Sequence, residues 1–175
     1  MQDLAIDISM GPSRAAIDLL EETLVQDDMI SLPIDVEGLA QRIGLVVQRM
    51  VLPLGTDGML VRDVPYEKFK AVLDANAPVH RARFTLAHEI GHFIHKYQDF
   101  PENKVGGILE KRSGRSSRGT ESEEIWANRF AAALLMPPGI VAELWGEGLS
   151  IEEMAEMFNV SDESMTYRIQ NLGLR

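Results

Sequence analysis

The stretch TLAHEIGHFIH, residues 85–95, holds three of the chain's four histidines, His88, His92 and His95, with Glu89 beside the first. Its period decides how the chain is read. Leu86, Ile90, Phe93 and Tyr97 recur at three- and four-residue spacing, so residues 80–97 are expected to form a helix with one apolar face. At 100° per residue His88, His92 and His95 share the opposite face, within roughly 60° of one another. One side of this helix is built for a core, and the other carries imidazoles.

Upstream, SRAAIDLLEETLVQDD (13–28) reads as a helix capped by Ser13, with Ala16, Leu19, Leu20 and Leu24 as its stripe. Pro33 introduces a second helix from Asp35 to Ile43, stopped by Gly44. LVVQRMVL (45–52) is short and β-branched and reads as a strand. Asp57-Gly58 is a turn signal. MLVRD (59–63) and KFKAVLD (68–74) read as two more strands, paired through a loop at Pro65. The expected fold is α+β, with a small three-stranded sheet, antiparallel or mixed, packed by helices that include the histidine helix.

Downstream, residues 101–120 are rich in Gly and Ser and locally basic, with Lys104, Lys111, Arg112, Arg115 and Arg118 against Glu102 and Glu110. They read as a loop, either a plain linker, a flap, or a dock for an acidic segment. ESEEIWANRFAAALLMPP (121–138) resumes a helix that Pro137-Pro138 ends. The tail reads as two short helices. Ser150 and Glu153 form a capping box, Phe158-Asn159-Val160 makes a turn, Ser161 caps the second helix and Gly173 stops it.

Histidines at i and i+4 stand one above the other, about 6 Å apart in rise, and can share one zinc ion at about 2.0–2.1 Å. A glutamate next to the first can serve as general base toward a water, which is the logic of H-E-x-x-H. His88 and His92 are therefore the candidate ligands and Glu89 the candidate base. A catalytic zinc needs a third protein ligand and an open position. His95 lies roughly 10 Å along the same straight helix from His88, too far for a tetrahedral set, and reads as a wall or supporting residue. His80 is read as an ordinary surface or core histidine. Glu124 is the better third ligand, because Glu124, Ala127, Asn128, Ala131 and Leu135 share a face and the alanines permit close helix approach. Asn128 can then fix the tautomer of a ligand histidine. Glu121 and Glu123 compete for ligation, but an acidic helix start is ordinarily a solvated one.

RARFTLAHEIGHFIH followed by EEIWANRFAAALLMP resembles the ImmA/IrrE-type metallopeptidases. LPIDVEGLAQRIGLVV upstream and IEEMAEMFNVSDESMTYRIQNLGL in the tail extend the likeness from about residue 30 to 174. The resemblance implies a short α+β peptidase domain, placed at residues 1–148. The tail, 149–175, has by its own residues a helix-turn-helix cadence and reads as a packing module on that domain or a surface that grips the partner. The resemblance implies zinc held by His88, His92 and Glu124, with Glu89 as base. It also implies a protein substrate, a helix-turn-helix transcriptional repressor, cleaved to relieve repression. A metal-stabilised module that sequesters a repressor or antitoxin without cutting it is the alternative, and Glu89 argues against that, since a zinc scaffold needs no acid there. The oxyanion donor stays open among Tyr66, Tyr167, His80 and His95, with Tyr97 discounted as core-facing. The substrate is expected to lie extended, paired with an edge strand from the MLVRD (59–63) or KFKAVLD (68–74) region.

The bulk properties narrow the rest. A net charge of -10 opposes binding to phosphate backbones and to anionic membranes. In the tail Arg168 and Arg175 face Glu152, Glu153, Glu156, Asp162 and Glu163, so direct DNA reading is not expected. The chain has no cysteine, which excludes thiolate zinc sites and leaves His, Asp and Glu as ligands. MQDLAIDISM has neither a basic n-region nor an apolar h-region, and no apolar run nears a membrane span, so a cytoplasmic setting is expected.

Overall fold

The computed structural model of the protein describes residues 6–24, 30–62, 68–97, 108–113 and 120–175. A 3-10 turn, Ile8–Met10, leads into α1, Pro12–Thr23. Gly11, not Ser13, is its N-cap: Pro12 takes the first helical position, where its fixed φ fits and its missing N–H costs nothing. Ala16, Leu19 and Leu20 of the expected stripe are buried with Ala15 beside them, Leu24 is half-buried, and residues 25–28 of the expected helix lie outside the described part. Helix α2, Val36–Arg42, is capped by the Asp35 carboxylate, which accepts from the Gly38 amide.

The sheet is mixed and has four strands in the order β1-β3-β2-β4. β1 (Val46–Met50) runs parallel to β3 (Lys70–Asp74), and β2 (Thr56–Arg62) is antiparallel to β3. These are the expected strands, although the loop at Pro65 lies outside the described residues. The fourth strand, β4 (Ile108–Ser113), comes from the segment read as loop, and it pairs antiparallel with β2. β2 and β3 are therefore interior strands, so neither offers the free edge expected for substrate pairing. Alternation in β4 is masked by the charged run Glu110-Lys111-Arg112, as edge positions tolerate charge. Residues 101–107 and 114–119, with the proposed flap, lie outside the described part.

Asp57-Gly58 is not a turn. It sits inside β2 at a register irregularity between Thr56 and Gly58, and the chain reverses just before, where Gly55 has φ 84°. Gly58 serves close approach: a Cβ there would stand 2.5 Å from the Thr85 methyl and 3.1 Å from the Val72 carbonyl. Thr85 belongs to α3 (Val79–Tyr97), so this glycine lets the histidine helix lie close on the sheet.

Helix α4 (Glu121–Leu135) packs across α3. Pro137-Pro138 ends α4 as expected, but Pro138 also opens a further helix, α5 (Pro138–Gly146), at its N1 position. The tail forms α6 (Ile151–Phe158) and α7 (Asp162–Leu172), with Ser150, Ser161 and Gly173 in the expected capping roles. Asn159 makes the turn with φ 52°. Met154, Phe158, Met165 and Ile169 of the tail join the same hydrophobic cluster as Leu19, Leu39, Leu73, Leu86, Ile90 and Phe130. No single described helix is long and apolar enough to cross a membrane.

Candidate metal centre

The centre forms where α3 and α4 touch. A Cβ at Gly91 would lie 3.0 Å from the Phe130 ring and 3.3 Å from the Ala127 Cα. Glycine on one helix and alanine on the other thus bring the two backbones close. The imidazole side of α3 is consequently as buried as its apolar side. His88 and Glu89 are 1% exposed and His92 4%.

Across this contact Glu124 reaches both histidines. Its Oε2 is 3.3 Å from His88 Nε2 and its Oε1 is 3.1 Å from His92 Nε2, while the two Nε2 atoms are 2.9 Å apart. Three ligands around one zinc at about 2.0–2.1 Å stand about 3.3 Å from each other in tetrahedral geometry. The spacings here come close to that, with each of the two Glu124 oxygens facing one imidazole nitrogen. Its composition, two imidazole nitrogens and a carboxylate, is that of a catalytic zinc set with one position left for solvent or substrate. A divalent ion fits these residues.

His88 also meets Asn128, whose Oδ1 lies 2.9 Å from His88 Nδ1. The amide oxygen accepts, so Nδ1 carries the proton and the lone pair of Nε2 faces the donor triangle. Asn128 is one turn beyond Glu124, so a single helix supplies both the carboxylate and the group that sets the tautomer.

The acidic start of α4 divides its labour. Thr120 caps the helix, with its hydroxyl accepting from the Glu123 amide while Glu123 accepts from the Thr120 amide. Glu121 is exposed, and Glu124 alone of the three turns toward the histidines. His88, His92 and Glu124 are the potential metal-holding group found among the described residues. His95 stands apart from it, its ring tilted against Trp126 at 4.7 Å, and Trp126 stacks on Phe130. Of the oxyanion candidates, Tyr167 is exposed on α7 and His80 lines a groove at the head of α3. Tyr66 and the side chain of Tyr97 lie outside the described part. Sequence reasoning did not find Gly91, Trp126 and Phe130. A glycine in mid-helix, disfavoured by about 1 kcal/mol against alanine, was the available signal of close packing.

Residues 40–170 match the IrrE N-terminal-like domain family. The chain belongs to this family. It is a family of metallopeptidases. The radiation response metalloprotease IrrE of Deinococcus radiodurans is 33% identical over 102 residues, which is 56% of this chain and 30% of that relative. The chain thus aligns with less than a third of the relative's length. In this member of the IrrE N-terminal-like family, the stretch matched includes α3, α4, α6 and all but the last two residues of α7.

Proposed function

We propose that the protein is a zinc-dependent endopeptidase that cuts a partner regulatory protein, and that the partner is a helix-turn-helix repressor. The observation that carries the reading is the convergence of buried His88 and His92 with half-buried Glu124, and a glutamate, Glu89, directly beside the first of them. Family membership supports peptidase chemistry, and the resemblance noted in the sequence supports the choice of partner.

His88 Nε2, His92 Nε2 and a Glu124 carboxylate oxygen would hold the ion. When bound, it supplies Lewis acidity, polarising the scissile carbonyl and making water a stronger acid. Glu89 takes a proton from the attacking water and passes it to the departing amine, so one group is base and then acid. Asn128 keeps His88 in the tautomer that presents Nε2. Burial of the two histidines and Glu89 excludes bulk solvent and strengthens the electrostatic interactions among them.

The test is incubation of the zinc-loaded protein with the candidate repressor and a search for one discrete fragment. Glu89→Gln should retain zinc and yield no fragment. If both forms relieve repression equally and neither cuts, the sequestering alternative replaces this reading. A fragment produced as fast by Glu89→Gln would remove Glu89 from the reaction.

A further inference from the structure

The ligand-bearing face of α3 continues toward the helix N-terminus. Phe84 precedes His88 by four residues and Arg81 precedes it by seven, so all three share that face. A groove of about 570 Å³ opens there. Phe84 and Arg81 line it from α3, Asp57 from β2, and Glu163 and Ser164 from the first turn of α7. The C-terminal tail therefore builds one wall of a groove on the metal-bearing side of α3.

Distances along the helix place the groove relative to the reaction. Phe84 lies about 6 Å and Arg81 about 10 Å from His88 in rise. An extended peptide advances about 3.3 Å per residue. A substrate running along this face would meet the groove about two to three residues from the bond over the metal centre.

The charges select the occupant. Arg81 lies 3.8 Å from Asp57, so these two offset one another. Glu163 is exposed and has no ion pair or hydrogen bond among the described residues. The lining thus offers two carboxylates against one guanidinium, with His80 on the same wall. Outside the groove lining, the tail also carries exposed Glu152, Glu153, Glu156 and Asp162. Of the tail's two cations, Arg168 does not offset them, because it is buried and its Nε donates to the Met136 carbonyl at 2.9 Å, which leaves only Arg175 exposed. An aromatic surface with a carboxylate at its rim suits a long side chain that is apolar along its stem and cationic at its tip.

We infer that this groove binds a lysine or arginine side chain of the polypeptide substrate, two or three residues from the scissile bond, with Glu163 as its counter-ion. This deepens the peptidase reading and rests on it for the position of the scissile bond. It gives the tail a role in selecting the substrate.

The experiment reads binding without cleavage. The full chain carrying Glu89→Gln, loaded with zinc, is used to select displayed random peptides. Lysine and arginine should be enriched at one position. Adding Glu163→Lys should weaken the selected peptides about fivefold and erase the enrichment, with Glu163→Gln intermediate. Glu152→Lys makes the same charge change outside the groove and should alter affinity by no more than about twofold. Zinc content and melting temperature report that each variant is folded. Failure to select any peptide, selection without basic residues, or equal losses from Glu163→Lys and Glu152→Lys would overturn the inference. Cleavage is scored separately with Glu89 intact. Basic selectivity without cleavage removes the peptidase reading and spares the groove, and cleavage without basic selectivity does the reverse.

Discussion

Asn128 touches His88 through a single hydrogen bond, yet that bond decides which ring nitrogen is free. Asn128→Ala should weaken metal binding by roughly 10–100-fold, measured by competition with a chelator of known affinity, because the unrestrained ring populates the other tautomer and turns more freely. Glu124→Ala should do more, since it removes a donor and leaves two buried histidines without their carboxylate partner. Retention of stoichiometric zinc by Glu124→Ala would contradict the assigned ligand set. These residues were legible in the sequence because helical periodicity converts spacing into direction. His88 and His92 fall on one face, and Glu124, Ala127 and Asn128 on another. Gly91 was not legible in the same way, since its reason lies in Phe130 and Ala127, far along the chain. Asp57-Gly58 was misread for a related cause: a glycine can mark a turn or a neighbour that comes too near, and only the packed Thr85 tells them apart.

At the scale of elements, the α3–α4 contact is the feature most open to test. Gly91→Ala gains helix propensity of about 1 kcal/mol but drives a methyl against the Phe130 ring and the Ala127 backbone. A ring can shift a few tenths of an ångström, and a helix backbone in a packed core cannot do so cheaply. The expected net loss is about 1–3 kcal/mol, read by denaturant melts, together with weaker metal binding as α4 moves outward. Caps were the most legible elements, because a capping box is local chemistry. In α6 the Ser150 amide donates to Glu153, and this bond, with the Ser150 side chain, holds the Glu153 carboxyl below the usual glutamate range. A depressed folded-state pKa adds stability above the unfolded value and loses it as pH falls through the folded one. Glu153→Gln should therefore flatten the stability loss below about pH 5 while lowering stability near neutrality. A parallel acid profile for wild type and variant would show that the box carries no linkage. The strand β4 and the helix α5 were less legible, because an edge strand needs no alternation and a proline pair can end one helix while starting the next.

At the scale of the whole molecule, the tail and the metal-bearing body share one core. Phe158 is fully buried in the cluster that includes Phe130 of α4 and Leu86 of α3. Arg168 adds a polar tie, with burial lowering its pKa from the ordinary arginine value while its Nε donates at the C-terminal end of α4. A cation at a helix C-terminus is favoured by the exposed carbonyls there. The tail residues are thus joined to the body by apolar packing and by a hydrogen bond that closes the end of α4, the helix that carries Glu124. Nothing in the tail sequence alone reveals this, since a short amphipathic pair packs equally well on a partner or on its own chain. If the two parts fold together, damage to the tail must be felt at the centre. Phe158→Ala should cost about 3–5 kcal/mol, a fall in melting temperature of order 10 °C. The loss should appear in one transition followed both by far-UV circular dichroism and, in a Trp145→Phe background, by the fluorescence of Trp126, the other of the chain's two tryptophans, which packs beside His95 in the body. Saturating zinc should raise that same transition, because a ligand of the folded form stabilises every part that folds with it. A Trp126 transition unmoved by Phe158→Ala would mean that the tail is a separate unit resting on a body already complete.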